Sequence, residues 1–269
     1  MVKPDRPSMP YYSITVIGYI AMRGCAWFRF YEELNDFLPP ERHKLSFKHN
    51  FSSTASIKDM IESLGVPHTE VDLLLVNGKS VAFNYLVRDG DAISIYPVFE
   101  SLDISAITRC RAKPLRHTRF VLDIQLGRLA AYCRMLGFDS LYRNDYDDPT
   151  LADIATNEQR ILLTRDHKLL TRKQVTHGYY IRATQPRRQI AEILTRFDLY
   201  DCLQPFTRCM RCNGGIKIIS KEKATAHVPP RVSAWHDEFW QCQDCGKIYW
   251  QGTHYQRMQQ LIANLKNRQ

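Results

Sequence analysis

The stretch FVLDIQLGRLAAYCRMLG, residues 120–137, decides the fold of the longer part of this chain. A short apolar strand ends at Asp123, and a helix follows at once with apolar residues three and four positions apart on one face. Gly137 is the expected end of this helix. Cys133 lies on the apolar face, which favours a place in the core over a reactive role.

The same alternation of strand and helix continues downstream. Three more strands and two more helices are predicted, with strands at 138–143, 161–164 and 179–183 and helices at 147–159 and 186–197. Asp148 is the expected cap of the first of these helices, with Pro149 in its first turn. Alternation at this spacing predicts an α/β domain with a mainly parallel sheet covered by helices.

Three aspartates stand where strands of this sheet finish. Asp123 and Asp166 end strands, and Asp148 follows shortly after one. Ligands of open α/β sheets bind outside the carboxyl ends of the strands, so the three carboxylates are expected to converge. Convergent carboxylates repel unless they share a divalent cation, and oxygen ligands suit Mg²⁺ or Mn²⁺. The alternative is that each aspartate only caps the following helix.

A smaller α+β unit is predicted upstream, within residues 24–103. It begins with a strand leading into a helix at 27–38, and a second helix is expected at 56–65, capped by Ser56. Residues 73–83, LLLVNGKSVAF, hold two apolar runs joined by Asn-Gly, which is a strong hairpin signal. A closing strand is expected within residues 88–99.

Four of the eight cysteines form two Cys-x-x-Cys pairs separated by 29 residues. They are Cys209, Cys212, Cys242 and Cys245. This spacing predicts a closed tetrahedral site for a structural Zn²⁺ ion. A redox dithiol and an iron–sulfur cluster are the alternatives.

Aromatic residues are interleaved with basic ones around the second cysteine pair, in FWQCQDCGKIYWQGTHY, residues 239–255. Such aromatics can stack on unpaired bases of nucleic acid. Such residues more often form the small core of a zinc ribbon, so the core role is favoured here and stacking is the alternative.

The charge of the chain is uneven. Its net value is +9, made up of −3 in residues 1–103 and +12 in residues 104–269. A basic excess confined to one part favours a polyanionic partner such as nucleic acid, although a solvated basic surface is the alternative. No apolar run approaches the roughly 18 residues of a membrane span, and no signal-peptide core follows the first methionine. No membrane partner and a cytoplasmic location are therefore expected.

Two resemblances extend these predictions. FVLDIQLGRLAAYCRMLGFDSLYRNDYDD followed by RILLTRDHKLLTR resembles the Mut-seven C-terminal domain family, which has a PIN-like ribonuclease fold commonly followed by a zinc ribbon. EVDLLLVNGKSVAFNYLVRDGDAISIYPVFE resembles the ubiquitin-like, sulfur-carrier-related β-grasp domain found ahead of it in bacterial members. Sulfur carriers end in a free Gly-Gly tail that is missing here, so sulfur transfer is not implied.

The implied organisation has six segments. They are an N-terminal extension (1–23), the ubiquitin-like domain (24–103), a basic linker (104–117), the PIN-like domain (118–202), the zinc ribbon (203–260) and a tail (261–269). The ubiquitin-like domain is expected to be a structural module or to bind a protein partner.

The resemblance implies that Asp123, Asp148 and Asp166 are the ligands of the catalytic metal ion, with Asp147 as a less favoured substitute for Asp148. A fourth acidic position of the family cannot be placed. Arg128 and Arg165 are expected to bind phosphate, the alternative for each being an ion pair with the neighbouring aspartate. Five further basic residues either extend this phosphate track or lie on a solvated face: Lys168, Arg172, Lys173, Arg187 and Arg188.

The implied function is a Mg²⁺- or Mn²⁺-dependent ribonuclease that hydrolyses phosphodiester bonds of RNA, with tRNA or another structured RNA as the substrate. The alternative is a non-catalytic RNA-binding or adaptor protein that uses the basic surface and the zinc ribbon.

Overall fold

The computed structural model describes residues 24–97, 104, 106–110 and 118–267. The sequence predictions for the N-terminal extension and for most of the basic linker concern residues outside these ranges. The described residues form three sheets, one in each predicted folded unit. None of the described helices is long and apolar enough to cross a membrane.

The first unit is a five-stranded mixed sheet with one α-helix. Its elements are β1 (Gly24–Phe30), β2 (Phe47–Phe51), α1 (Ile57–Ser63), β3 (Val71–Val76), β4 (Lys79–Ser80) and β5 (Ala92–Pro97). The strand order is β2-β1-β5-β3-β4, with β1 and β5 parallel and the other pairs antiparallel. The helix is capped as predicted, because the Ser56 hydroxyl accepts a hydrogen bond from the Asp59 N–H. The expected helix after β1 is a 3-10 helix, Glu32–Phe37.

The second unit is a parallel sheet covered on both faces. Its strands are β6 (Phe120–Leu122), β7 (Ser140–Leu141), β8 (Ile161–Thr164) and β9 (Gly178–Tyr180), in the order β7-β6-β8-β9. Its helices are α2 (Gly127–Met135), α3 (Asp148–Asn157), α4 (His167–Leu170) and α5 (Pro186–Arg196). Each strand pair is parallel, which confirms the predicted fold class.

Successive residues of the central strands enter opposite cores. Phe120 and Leu122 pack with α2 and α5, whereas Val121 packs with α3 and α4. Leu162 and Leu163 of β8 divide in the same way. Burial on both faces explains why these strands are continuous apolar runs without polar alternation.

The predicted cap of α3 is wrong by one residue. Asp147, with extended backbone angles, is the cap, and its carboxylate accepts a hydrogen bond of 2.9 Å from the Thr150 N–H. Asp148 is already the first helical residue, so Pro149 occupies the second helical position. Two adjacent aspartates before a proline are each compatible with the cap position, and the backbone angles decide between them.

The third unit is a three-stranded antiparallel sheet with short helices and one long helix. Its elements are β10 (Ile216–Ile219), α6 (Lys221–Thr225), α7 (Pro230–Trp235), β11 (Phe239–Cys242), β12 (Ile248–Trp250) and α8 (Thr253–Lys266). Ile262 and Leu265 of α8 are buried in the same core as α2 and α5. The last helix therefore fastens the third unit to the second.

Gly137 controls the path from the second unit to the third. Its φ is +97°, and a side chain there would place Cβ 2.3 Å from the backbone oxygen of Gln204. Residues 204 and 206 run close by, since their N–H groups donate to the carbonyls of Leu136 and Met135. Only glycine combines this φ with such close backbone packing.

The first unit docks on the second through a buried ion pair. The Glu70 carboxylate, 1% exposed, accepts hydrogen bonds from the Tyr180 N–H (2.7 Å) and the Arg182 guanidinium (3.2 Å). Arg182 also reaches Asp36 at 3.1 Å. Burial raises the pKa of Glu70, and Arg182 opposes that shift. His68 adds a contact at 3.0 Å to the Val175 carbonyl.

Replacing Gly137 with alanine should destabilise the protein. The positive φ alone costs an L-residue about 1–3 kcal/mol, and the contact with Gln204 adds to this cost. Urea unfolding should show a lower midpoint for Gly137→Ala. Gly215→Ala is the matched control, because nothing lies within 4 Å of a Cβ at that position. Equal midpoints for the two variants would contradict the assigned role of Gly137.

Replacing Arg182 with methionine should destabilise the docked units in a pH-dependent way. The substitution keeps much of the packing but removes a group that lowers the pKa of Glu70, so this pKa, already raised, moves further up. A carboxyl group whose pKa is higher in the folded than in the unfolded state lowers the free energy of unfolding progressively as pH rises. The deficit of Arg182→Met relative to wild type should therefore grow from pH 5 to pH 8.

The measurement is the free energy of unfolding in urea at several pH values. Arg188→Met, which removes an exposed cation from α5, is the control and should show no such trend. A deficit for Arg182→Met that is independent of pH would contradict the ionic role of the Glu70–Arg182 contact.

Candidate functional site

Two of the predicted aspartates follow the two central strands at the carboxyl edge of the parallel sheet. Asp123 directly follows β6, and its N–H donates to the carbonyl of Leu163 in β8 at 3.0 Å. Asp166 lies two residues beyond the end of β8. Because all four strands run in the same direction, the helix that follows β7 also begins at this edge, with Asp148 as its first residue.

One hydroxyl joins two of the three predicted aspartates. The Thr164 Oγ1, fully buried at the end of β8, donates to Asp123 Oδ2 at 2.7 Å. The same oxygen accepts a hydrogen bond of 2.9 Å from the N–H of Asp166. The structure therefore links the carboxylate of Asp123, after β6, to the backbone of Asp166, after β8. Sequence reasoning missed Thr164, although a hydroxyl in the last residue of a buried strand is a usable signal.

Asp123 does not cap the turn that follows it. Its carboxylate accepts no hydrogen bond from that turn, and it is buried with only 6% of the residue exposed. Among the described residues no basic side chain pairs with it. A buried ionised carboxylate is costly unless an opposite charge lies beside it, so the position favours a cation. Asp166 does act as a cap, accepting a hydrogen bond from the Lys168 N–H at 2.8 Å.

Asp148 stands apart from this pair. Its carboxylate is about half exposed and lies 3.4 Å from Arg172, a contact that sequence reasoning did not anticipate. Within the described ranges, the set of three or more metal-binding side chains whose ligand atoms lie within 4.8 Å of one another consists of cysteines. The three aspartates do not form such a set with their side chains as they stand.

The two predicted phosphate-binding arginines differ in their surroundings. Arg128 is exposed in the first turn of α2. Arg165 is half-buried and donates to the Ala183 carbonyl at 2.9 Å. Neither forms the alternative ion pair with a neighbouring aspartate. Four of the other five basic residues are exposed: Lys168, Lys173, Arg187 and Arg188.

His167, which sequence reasoning overlooked, links this edge to the first unit. Its ring packs against Phe37 at 4.8 Å and against Tyr180 at 4.2 Å between centroids. Burial lowers the pKa of His167, with Asp166 acting in the opposite direction. The loop carrying Asp166 is therefore in contact with the first unit.

The four predicted cysteines form one compact cluster. Their sulfur atoms all lie within 4.8 Å of one another, with 3.6 Å between Cys209 and Cys245 and 3.4 Å between Cys212 and Cys242. Four thiolates at ~2.3 Å from a tetrahedral ion would be about 3.8 Å apart. The cluster could therefore hold a metal such as zinc.

The surroundings shift the pKa values of the cysteines in different directions, since burial raises the pKa of Cys212 and of Cys242. Burial acts to raise the pKa of Cys209, but hydrogen bonds from the Tyr249 hydroxyl (3.0 Å) and from backbone N–H groups outweigh it and lower the pKa to about 6. Buried Arg134 of α2 donates to the carbonyls of Met210 (3.2 Å) and Arg211 (2.9 Å). The first cysteine knuckle thus rests on the parallel-sheet unit.

Comparison with known families gives two matches. Residues 118–262 match the family described as the Mut7-C RNAse domain, which is more than half of the chain. The chain belongs to this family. Residues 24–103 match the family described as Mut7-C ubiquitin. The predicted family and the predicted order of its domains are both confirmed.

No curated protein and no solved structure matches the chain. Membership of the Mut7-C RNAse family supports a ribonuclease-like function, with RNA as the class of substrate. The matched range runs through the cysteine cluster and into α8, so the family's domain includes the third unit as well as the parallel sheet.

Proposed function

We propose that this Mut7-C protein is a ribonuclease that hydrolyses phosphodiester bonds of RNA with a Mg²⁺ or Mn²⁺ ion held at the carboxyl edge of the parallel sheet. The supporting observation is the buried Asp123 carboxylate, which is tied to the Asp166 loop by Thr164 and has no basic partner in the described part of the chain.

The residues at this edge suit a hard divalent cation. Asp123 and Asp166 offer carboxylate oxygens from adjacent strands, which are the ligands that Mg²⁺ and Mn²⁺ prefer. Asp148 is the third ligand in this proposal, and its half-exposed side chain would turn from Arg172 to the ion. That movement frees Arg172 to contact the RNA backbone.

A divalent ion bound there would polarise a phosphate oxygen and lower the pKa of a bound water, which would lose its proton more readily and become a better nucleophile. The chain's own part is positioning. Thr164 fixes the orientation of Asp123, and the exposed guanidinium of Arg128 is available for a non-bridging phosphate oxygen. Arg165 is proposed as a second phosphate contact, although its Nη1 is engaged with Ala183.

A covalent nucleophile is not part of the proposal. Cys133 is fully buried, and burial raises the pKa of its thiol to about 12. The thiol therefore stays protonated at neutral pH and cannot reach a substrate at the open edge. This agrees with the sequence-based expectation that Cys133 belongs to the core.

We also propose that the four cysteines bind one structural Zn²⁺ ion. Four thiolate ligands leave no open position for a substrate, which is typical of structural zinc sites. Arg134 ties the first knuckle to α2, so metal binding would stabilise the parallel-sheet unit as well as the ribbon. A structured RNA such as tRNA as the substrate, a protein partner for the ubiquitin-like unit and a cytoplasmic location remain predictions from the sequence.

Cleavage of a mixed RNA pool should require both the divalent ion and the aspartates. Asp123→Asn and Asp166→Asn should each lower the rate about 100-fold or more, because each removes a charged ligand of the proposed ion, whose positive charge would stabilise the transition state. Asp145→Asn is the matched control, since Asp145 is exposed in the same part of the chain and its ion-pair partner among the described residues is Arg143. Denaturing gels with and without Mg²⁺ give the rates.

Two results would count against this function. Undiminished Mg²⁺-dependent cleavage by Asp123→Asn would remove the proposed site. Wild-type protein that binds the pool without cutting it in Mg²⁺ or Mn²⁺ would favour the alternative of a non-catalytic RNA-binding or adaptor protein.

The purified chain should contain one equivalent of zinc by elemental analysis. Cys245→Ser should lose the metal and unfold at a lower temperature, because three thiolates no longer close the site. Cys202→Ser is the control, since Cys202 is exposed and lies outside the cluster. Iron in place of zinc, or a metal content unaffected by Cys245→Ser, would refute the zinc proposal.

A further inference from the structure

Two adjoining clefts lie where the ribbon and α8 meet the parallel-sheet unit. The first has a volume of about 240 Å³, and the second about 560 Å³. Tyr249, Trp250 and Tyr255 line both clefts and form the wall between them. Trp240 lines the first, and Tyr132 of α2 lines the second. Neither cleft coincides with the acidic edge.

These aromatic side chains are not the core of the ribbon. That core consists of Phe239, Ala224 and Val228, all buried, with Trp250 packed against its side. Trp240 and Tyr255 are only half-buried and present part of their surface to the clefts. The core role therefore holds for Phe239 and in part for Trp250. Tyr255 packs against Phe206 at 4.6 Å between ring centroids, and the surface that Tyr255 and Trp240 still present to the clefts is left for stacking.

The charged side chains that line the clefts are cationic. The second cleft is bordered by Arg187, Lys247 and Arg257, all exposed. No aspartate or glutamate is among the described residues that line either cleft. Flat aromatic faces beside a cationic rim suit a ligand with planar, uncharged groups on an anionic backbone. An unpaired nucleic-acid strand has this chemistry.

Two helices that line the second cleft or carry its residues, α2 and α5, also begin near the acidic edge in the chain. Tyr132 lies one helical turn beyond Arg128 on the same face of α2, and a single 3-10 turn, Ile124–Leu126, separates that helix from Asp123. Arg187 is the second residue of α5, which starts three residues after the Ala183 that Arg165 contacts. Because α2 packs against α5, the cleft residues Tyr132 and Arg187 lie on neighbouring helices that both start from this side of the sheet.

We propose that these two clefts bind an unpaired segment of RNA, with bases stacked on Trp240 and Tyr255 and phosphates beside Lys247 and Arg257. The choice of RNA as the strand rests on the proposed ribonuclease function. The segment bound here is the part of the substrate that leads away from the cleavage edge. The ribbon is then a substrate-binding element in addition to its structural role.

The test measures binding separately from cleavage. The full-length, zinc-loaded chain carrying Asp123→Asn and Asp166→Asn serves as the parent, so that the probe is not cut. The probes are a fluorescein-labelled 12-nucleotide oligouridylate and an abasic ribose-phosphate strand of the same length. Fluorescence anisotropy gives the dissociation constants. The abasic strand keeps the charge of the probe and removes every base.

Trp240→Ala and Tyr255→Leu should each weaken binding of oligouridylate about 10-fold, because each removes one stacking platform. Binding of the abasic strand, already weaker, should change less than 2-fold. Arg257→Gln should weaken binding of both strands, since it acts on the backbone. Trp235→Ala is the matched control, because Trp235 is 77% exposed outside the clefts. It should leave both constants unchanged.

Zinc content and unfolding temperature are compared for every variant, and Tyr255→Leu keeps apolar bulk so that the fold is preserved. Equal binding of the two strands by the parent, or equal losses for Trp235→Ala and Trp240→Ala, would overturn the proposal. Tight binding of an apolar peptide in competition with oligouridylate would assign the clefts to a protein partner instead. The cleft substitutions are also made in the protein with intact Asp123 and Asp166. If they leave its cleavage rate unchanged, this inference is wrong, and the proposed nuclease site is not affected.

Discussion

The parallel pairing of β6 with β8 is the constraint on which the candidate site depends. Leu122 faces Leu163 in this register, so the chain leaves β6 at Asp123 beside the carbonyl of Leu163 and the hydroxyl of Thr164. Alternate residues of the two strands fill separate apolar cores. A slip of one residue would place each side chain in the opposite core, so the packing of the two cores fixes the register and thereby the polar contact at the strand ends.

Much of the fold could be predicted from the sequence, because apolar periodicity and turn chemistry are local. The Asn77-Gly78 hairpin, the Ser56 cap and the helix ending before Gly137 depend on neighbours only. Other elements depend on distant partners. β2 is a half-exposed strand without strong patterning, and it exists because it pairs with β1. The helices of the ribbon are short, and tertiary packing determines them more than propensity.

Some features of the candidate site could also be predicted from the sequence, and others could not. The two cysteine pairs carry their spacing in the chain, so their convergence could be predicted and the cluster is present. The aspartates could be assigned to one edge of a parallel sheet, but not their side-chain contacts. Thr164 between two of them, Arg172 against Asp148 and the ring of Phe37 on His167 are contacts between residues far apart in sequence. The periodicity of apolar residues predicts which strand or helix forms but not the rotamers of the polar side chains at its end.

The carboxylate of Glu70 has a further consequence for the outermost strand of the parallel sheet. β9 has β8 on one side only, and on its free side the N–H of Tyr180 is satisfied by Glu70 from the ubiquitin-like unit. An excised fragment beginning near residue 118 would lose this cover and present an unpaired strand to other copies of itself, which is a common route to aggregation. Expression of the second and third units without the first should therefore yield aggregation-prone protein. Co-expression of residues 24–103 as a separate chain should restore the cover on β9.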